Sequence, residues 1–205
     1  MLIRTVAAFS LAASASCAQA NLGPAPEIGA AAPQFEGVAT TGDTISLADF
    51  RGEKVILEWT NNECPFVQKH YETGNMQATQ QVADAAGVVW ITVISSAPGT
   101  QGFVDAAQAD ALTTERNAAP DYVVLDPTGE IGRVYAAKTT PQMVVIDEAG
   151  VLRYDGAIDD KPSTNHATVE GAKNYVLAAL ADLSAGRPVA QPRTKPYGCS
   201  VKYGS

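Results

Sequence analysis

Short apolar runs, separated by polar and glycine-rich stretches, dominate the pattern of this chain. Two of these runs, 55–59 and 88–94, are almost continuously apolar, as central strands are when both of their faces are buried. A third strand is predicted at 122–126. Stretches of helical character follow the first two strands, at 65–74 and 103–112. Strands that alternate with helices in this way predict an α/β sheet.

Two predicted β-hairpins and a final helix complete the pattern. The hairpins pair 35–38 with 44–47 around the turn 41–43, and 143–147 with 151–154 around the turn 148–150. The last helix is predicted between Val169 and Gly186, because apolar residues recur there at helical spacing. We therefore expect an α/β fold whose central mixed sheet is flanked by helices. Its sheet should be mostly parallel with an antiparallel edge, after an N-terminal hairpin extension.

The first twenty residues have the pattern of a secretory signal peptide. Arg4 precedes a small and apolar stretch at 6–13, and Ala18-Gln19-Ala20 supplies a cleavage site of the small-x-small type. The stretch is too short to span a membrane. We expect a mature chain that begins at Asn21 and is periplasmic or secreted. An uncleaved anchor, or a lipoprotein carrying its lipid on Cys17, is the alternative.

Size and charge narrow the class of protein further. About 185 residues, 21–205, follow the signal peptide, which is enough for one domain with a sizeable core. The net charge of the whole chain is −8, and it becomes −9 once Arg4 is removed. Such a charge argues against nucleic acid and anionic membranes as partners. No spacing of His, Cys and Asp matches a metal site, and no nucleotide motif is present, so no cofactor is expected.

Two cysteines, Cys64 and Cys199, remain after export. Only one disulfide is possible between them within a monomer. Cys64 stands between a predicted strand and Pro65, a residue type that is favoured at the first position of a helix. The free amides and the dipole at a helix start stabilise a thiolate. Cys64 is therefore the candidate redox thiol, with an inert core cysteine as the alternative.

Six short motifs are spread over nearly the whole predicted mature chain. They are Gly29–Phe35, Gly42–Gly52, Asn61–Val67, Thr139-Thr140-Pro141, Tyr154–Asp160 and Gly198–Lys202. In this order they resemble the thioredoxin-fold redoxins of the AhpC/TSA type, and most closely a peroxiredoxin-like subfamily. The resemblance implies one thioredoxin-like redoxin domain over 21–205, including the C-terminal tail.

The resemblance also implies roles for five residues. Cys64 would be the attacking thiolate, and Cys199 the resolving thiol that the tail delivers. Thr140 and Pro141, with Pro141 in the cis form, would bind an extended substrate strand, and Thr60 is a further candidate for substrate binding. A purely structural disulfide is the alternative role for Cys199, because a loop of this length is worth roughly 5 kcal/mol of chain entropy.

This chain departs from the family pattern at two places. Many relatives have a Cys-x-x-Cys motif whose second cysteine stands at the position of Cys64, but the first is Asn61 here. Typical peroxiredoxins have Pro-x-x-x-Thr-x-x-Cys, whereas Thr60 lies one residue too far from Cys64 and has no proline four residues before it. Their peroxidatic site also needs an arginine, for which Arg133 is the nearest candidate in the sequence.

The other polar residues that could serve a redox site are interpreted as structural rather than functional. Lys69 and His70 follow Cys64 within two helical turns and would lower its pKa if they faced it, but we interpret them as a solvated helix face. His166 is interpreted as a surface residue. Asp159-Asp160 is interpreted as a turn.

The first functional hypothesis is a periplasmic thiol–disulfide oxidoreductase that exchanges with a protein or small-molecule thiol or disulfide. The second is a peroxiredoxin-like thiol peroxidase with antioxidant activity, whose substrate is a peroxide. The third is a non-catalytic, disulfide-stapled binding domain.

Overall fold

The computed structural model describes residues 22–204. The predicted signal peptide 1–20, with Cys17, lies outside the described residues. Within the described part of the chain, no helix is long and apolar enough to cross a membrane.

The described residues form two sheets and five α-helices, joined by loops and short turns. The strands are β1 (Glu36–Ala39), β2 (Thr44–Ser46), β3 (Lys54–Trp59), β4 (Val88–Ile94), β5 (Tyr122–Leu125), β6 (Thr139–Thr140), β7 (Gln142–Ile146), β8 (Leu152–Gly156) and β9 (Cys199–Ser200). The helices are α1 (Pro65–Glu72), α2 (Asn75–Ala85), α3 (Ala106–Glu115), α4 (Glu130–Val134) and α5 (Tyr175–Ser184). Short 3₁₀ turns lie at Leu47–Phe50 and His166–Thr168.

The larger sheet has seven strands in the order β2-β1-β5-β4-β3-β7-β8. Only β3–β4 and β4–β5 are parallel, and the other four pairings are antiparallel. The predicted mixed sheet with an N-terminal hairpin is confirmed. The expectation that most of the sheet is parallel was wrong, because an antiparallel hairpin is added on each side of the three parallel strands. In the first hairpin β1 pairs with β5, and in the second β7 pairs with β3.

Helix boundaries differ most from the prediction where local capping decides them. The third helix starts at Ala106, because the side chain of Asp105 accepts from the Gln108 amide at 2.8 Å and forms a capping box. The last helix starts at Tyr175 rather than Val169, because Asn174 caps it. The sequence patterns did not predict α2 and α4, which are short and rich in polar residues or alanine.

Two hydrophobic clusters lie on the two faces of the larger sheet. Alternate residues of β3 divide between them: Leu57 and Trp59 belong to one cluster and Ile56 to the other. The second cluster includes Cys64 and the apolar faces of α1, α2 and α5. The cysteine is thus attached to a fully packed part of the domain.

The C-terminal tail runs back across the domain. Near its start, Arg193 forms an ion pair with Asp155 at 2.6 Å. Further along, β9 pairs with β6 in a separate two-stranded antiparallel sheet. This pairing brings Cys199 close to Cys64.

Candidate active site

Cys64 is the N-cap residue of α1, and Pro65 takes the first helical position. A turn at Asn61 precedes this helix start. The side-chain oxygen of Asn61 accepts from the Glu63 amide at 2.8 Å, and the backbone carbonyl of Asn61 accepts from the Cys64 amide at 3.1 Å. The sulfur therefore lies at the helix start, where free amides and the helix dipole favour negative charge.

The Thr140–Pro141 peptide bond is cis, as the resemblance implied. The Thr140 carbonyl oxygen lies 3.1 Å from the Cys64 sulfur and accepts from the thiol. On its other side Thr140 pairs with Cys199 in antiparallel register. The structure therefore brings four of the five predicted site residues together, and Thr140 links the two cysteines.

Gly198 allows the tail to approach this closely. Its φ of 138° lies in the region that favours glycine, and a Cβ there would stand 1.9 Å from the Thr140 carbonyl oxygen. No side chain could fit in that space. The Gly-Cys pair of the terminal motif thus sets the position of the Cys199 sulfur.

The two thiols are free and differ in burial and acidity. Cys64 is fully buried, whereas Cys199 is partly exposed. Burial raises the pKa of Cys64, but the Cys199 thiol, the Thr140 hydroxyl and the Val67 amide are placed to donate to its thiolate, which outweighs burial and holds this pKa below its ordinary value. The Thr140 carbonyl favours the neutral thiol and opposes them. Burial, the hydrogen bond to Cys64 and the charge of Cys64 raise the pKa of Cys199 to about 11.

Thr60 lies apart from this cluster. Its backbone amide donates to the Val93 carbonyl at 3.1 Å, and its buried hydroxyl has no hydrogen-bond partner. It lines a small cavity of about 30 Å³ that neither cysteine lines. The Thr60 hydroxyl thus makes no hydrogen bond with either sulfur.

Lys69 and His70 are not on a solvated helix face, and that interpretation was wrong. Both side chains are fully buried. The Lys69 ammonium donates to the Lys161 carbonyl at 3.0 Å and lies 3.9 Å from a carboxylate oxygen of Asp159. These polar partners satisfy the charge, so two residues that sequence alone assigns to the surface are accommodated in the interior.

Tyr197 completes this buried cluster, and the sequence analysis missed it. Its hydroxyl donates to Asp159 and lies 3.1 Å from His70 Nε2 and 3.4 Å from the Lys69 ammonium. The Asn75 amide at 2.7 Å satisfies the other ring nitrogen of His70. The sequence did point to these residues, since Tyr197 stands two residues before Cys199 and Asp159 lies in the motif Tyr154–Asp160.

Burial sets the protonation states in this cluster. Burial first, and then the neighbouring Lys69 charge, lower the pKa of His70 to about 3. Burial also lowers the pKa of Lys69, against the opposing effect of Asp159. Burial and the hydrogen bond to Asp159 raise the pKa of Tyr197. A neutral His70 therefore donates its Nε2 proton to the Tyr197 hydroxyl.

Arg133, the arginine nearest to the peroxidatic pattern, is held elsewhere. Its guanidinium lies over the ring of Tyr203, 4.7 Å from the centroid, and donates to the Gly204 carbonyl at 2.8 Å. His166 is half exposed and pairs with Glu72 at 3.3 Å, which agrees with a surface position. Among residues 22–204, no three His, Cys, Asp or Glu side chains are grouped to hold a metal ion.

Comparisons with known proteins place this arrangement in a family. The family model described as Redoxin matches residues 27–175. No curated protein matches the sequence.

Solved structures with similar folds include two proteins without a stated activity. A hypothetical protein from Sinorhizobium meliloti 1021 is 18% identical, with a TM-score of 0.74 over 89% of this chain and 97% of that one. An uncharacterized conserved protein from Geobacillus kaustophilus is 24% identical, with a TM-score of 0.74 over 87% and 93%.

A third structure is the thioredoxin domain of a thiol-disulfide oxidoreductase from Bacteroides vulgatus. It is 20% identical, with a TM-score of 0.52 over 71% of this chain and 97% of that one. At these identities the structures show the fold alone. Because the family model covers well over half of the chain, this protein is a member of the Redoxin family.

Proposed function

We propose that this protein is a thiol–disulfide oxidoreductase in which Cys64 is the nucleophile and Cys199 is the resolving thiol. The observation that carries the proposal is the pairing of β9 with Thr140, which places Cys199 opposite the residue whose carbonyl oxygen lies 3.1 Å from the Cys64 sulfur at the start of α1. A tether that only closed the chain would not need one sulfur at a helix start with a lowered pKa.

The exchange reaction follows from the two different thiols. The Cys64 thiolate attacks one sulfur of a substrate disulfide, a Cys64–substrate bond forms, and the other sulfur leaves as a thiolate. Cys199 loses its proton and attacks the Cys64 sulfur, which forms the Cys64–Cys199 disulfide and releases the second substrate thiolate. The substrate gains two electrons, and a partner dithiol restores the protein.

The acidity of Cys199 suits this order of events. Two of the three causes that raise its pKa to about 11 are the hydrogen bond and the charge of Cys64. Both causes disappear once the Cys64 sulfur is in a mixed disulfide and carries no charge. Cys199 then becomes easier to deprotonate at the moment when it must attack.

We further propose that the protein works outside the cytoplasm, in the periplasm or as a secreted protein. The support for this is the signal-peptide pattern of residues 1–20 and the two remaining cysteines. An oxidising compartment lets a disulfide form and persist, and its reduction needs an electron source, which would be a protein or small-molecule thiol.

Disulfide exchange is favoured over peroxide reduction by what surrounds the Cys64 sulfur. The groups placed to donate to its thiolate are a thiol, a hydroxyl and backbone amides, while Arg133 is stacked on Tyr203. Peroxide cleavage depends on preorganised donors that stabilise the developing charge in the transition state. A thiol peroxidase remains the second candidate, because the family model is that of the redoxins.

The experiment compares reduced wild type with Cys64→Ser and Cys199→Ser. Exchange with a glutathionylated peptide should be lost in Cys64→Ser. The Cys199→Ser variant should accumulate a mixed disulfide on Cys64 that mass spectrometry detects. Mass spectrometry of oxidised wild type should find the Cys64–Cys199 peptide.

Two results would contradict the proposal. Exchange that survives in Cys64→Ser would show that Cys64 is not the nucleophile. A hydrogen peroxide rate far above that of a free thiol at equal thiolate fraction, and lost in Cys64→Ser, would favour the peroxidase.

A further inference from the structure

Strand β9 fills the groove beside Pro141 in which an extended substrate would pair. Cys199 lies opposite Thr140, and Ser200 lies opposite Thr139. Beneath this strand the Cys64 side chain is fully buried. While β9 is in place, an external strand has no free edge to pair with, and its disulfide has no path to the Cys64 sulfur.

The pairing itself is short and needs an additional anchor. Strand β9 contains two residues and belongs to a two-stranded sheet outside the main one. Two-stranded β-structures are at best marginally stable on their own. The side chains on either side of Cys199 must therefore hold it against Thr140.

Tyr197 provides the anchor on one side, and it docks on the helix that Cys64 starts. Its ring packs edge-on against Phe66 with centroids 5.7 Å apart, and the Lys69 ammonium lies 5.3 Å from its centroid. Its hydroxyl donates to the Asp159 carboxylate and contacts His70. Hydrogen bonds to charged groups are stronger than those between neutral groups, so the Tyr197 hydroxyl is held more strongly than a tyrosine hydroxyl that donates to a neutral carbonyl.

On the other side of Cys199, the Arg133 guanidinium lies over the Tyr203 ring and donates to the Gly204 carbonyl at 2.8 Å, but Val201 and the Tyr203 hydroxyl are held through neutral groups. The Val201 amide donates to the Lys138 carbonyl at 3.0 Å, and the Tyr203 hydroxyl donates to the Ala137 carbonyl at 2.8 Å. Both are hydrogen bonds between neutral groups. Tyr203 therefore offers a matched tyrosine for comparison with Tyr197.

We propose that the groove formed by Thr139, Thr140 and Pro141 binds β9 and an extended, disulfide-bearing polypeptide in turn, with Tyr197 as the latch that controls the exchange. This inference rests on the proposed function and names its substrate class. A polypeptide strand is the fitting occupant, because β9 itself is an extended cysteine-bearing strand that pairs there through its backbone.

The two occupants fit the two chemical steps. When the Tyr197 latch opens, the tail leaves and the substrate strand pairs with Thr140. The Cys64 thiolate then attacks the substrate sulfur, and the other substrate sulfur leaves as a thiolate that takes a proton from water. When the tail returns, Cys199 loses its proton and attacks the Cys64 sulfur. The Cys64–Cys199 bond forms, the Cys64–substrate bond breaks, and the substrate leaves as a thiolate that takes up a proton, while β9 occupies the groove again.

The first test measures how often the latch opens. Reduced full-length protein is treated with iodoacetamide, and mass spectrometry follows alkylation of Cys64 alone. Tyr197→Phe removes the hydroxyl and keeps the ring, so Cys64 should alkylate at least tenfold faster than in wild type. Tyr203→Phe, the matched control, should increase the rate less than threefold.

Urea separates opening of the tail from loss of the fold. Opening that exposes little surface has a small dependence on denaturant, whereas global unfolding has a large one. The faster alkylation of Tyr197→Phe should keep a shallow urea dependence. A dependence as steep as that of global unfolding, or equal acceleration by Tyr203→Phe, would overturn the latch.

The second test concerns the substrate. Tyr197→Phe should increase the rate of exchange with an extended glutathionylated peptide at least threefold more than that with oxidised glutathione, because only the peptide needs the whole groove. Equal acceleration of both would overturn the assignment to polypeptides. Alkylation of Cys64 needs no turnover, so a failure of the latch is distinguishable from a failure of the proposed function, which Cys64→Ser tests.

Discussion

The two cysteines both contact Thr140 but are held by opposite kinds of structure. Cys64 is fixed between β3 and α1 and packs in a hydrophobic cluster with side chains from three helices. Cys199 is held by a two-residue strand, a glycine and the tail contacts on either side. The first sulfur moves only if the domain unfolds, whereas the second moves if a few local contacts break.

The difference in how firmly the two cysteines are held agrees with the difference between their pKa values. The fixed sulfur has the lowered pKa, and the movable one has a pKa raised to about 11. A nucleophile needs a fixed set of donors, while a resolving thiol needs to move away from the nucleophile when substrate binds and to return when it attacks. The site is thus divided into a rigid half and a mobile half, which meet at Thr140.

The largest expected effect comes from breaking the mobile half at Gly198. In Gly198→Ala the new Cβ would fall 1.9 Å from the Thr140 carbonyl oxygen, at a φ that L-residues rarely adopt. Strand β9 should be displaced, and the yield of the Cys64–Cys199 disulfide on mild oxidation should fall at least tenfold. Quantitative mass spectrometry under non-reducing conditions measures this yield.

A second glycine of the same tail supplies the control. At Gly204 an added Cβ meets only the Ala97 side chain, at 3.4 Å. Gly204→Ala should form the disulfide as wild type does. If Gly198→Ala also kept the wild-type yield, the tight contact with Thr140 would not be what positions Cys199.

A smaller effect is expected from acid, through the residue that joins the two halves. His70 lies on α1, contacts Tyr197 of the tail and has a pKa of about 3, against about 6.5 for an unperturbed histidine. Between these values the unfolded chain binds a proton that the folded chain does not. The free energy of unfolding should therefore fall as the pH falls through this range, by up to about 1.4 kcal/mol per pH unit.

Urea unfolding at several pH values compares wild type with His70→Gln. The variant cannot take up this proton, so its stability should decline less steeply between about pH 6 and pH 4. His166→Gln, which changes a half-exposed histidine paired with Glu72, should keep the wild-type slope. Equal slopes for wild type and His70→Gln would show that the buried imidazole does not control acid stability.

The same division explains what the sequence could predict. Continuous apolar runs marked β3 and β4, and the residues around Cys64 marked the start of α1, because these are local patterns. The resemblance supplied cis-Pro141. The rigid half of the site was therefore predictable.

The mobile half depended on contacts that no local pattern encodes. The pairing of Thr140 with Cys199 joins two-residue strands that are far apart in the chain, and neither strand has a detectable periodicity. Lys69 was assigned to the surface because lysine is seldom buried without a partner, and its partners Asp159 and Tyr197 lie far away in the sequence. Which charge becomes buried is decided by tertiary structure.

The smallest expected effect, and the most specific, concerns the residue where the halves meet. The Thr140 hydroxyl has no hydrogen-bond partner while Cys64 is a thiol, but it is placed to donate to the thiolate. Thr140→Val keeps the shape and the backbone pairing and removes this donor. The pKa of Cys64 should rise by about 0.7 unit, the equivalent of one hydrogen bond of about 1 kcal/mol.

The ultraviolet absorbance of the thiolate, titrated against pH in a Cys199→Ser background, measures this shift. Thr140→Ser keeps the hydroxyl and should leave the pKa of Cys64 near its value in that background. The unfolding free energy of Thr140→Val at neutral pH should fall by less than about 1 kcal/mol, because a buried hydroxyl without a partner contributes little to stability. A rise in pKa with unchanged stability would locate the effect on the thiolate, whereas a loss of stability with unchanged pKa would assign Thr140 to packing alone.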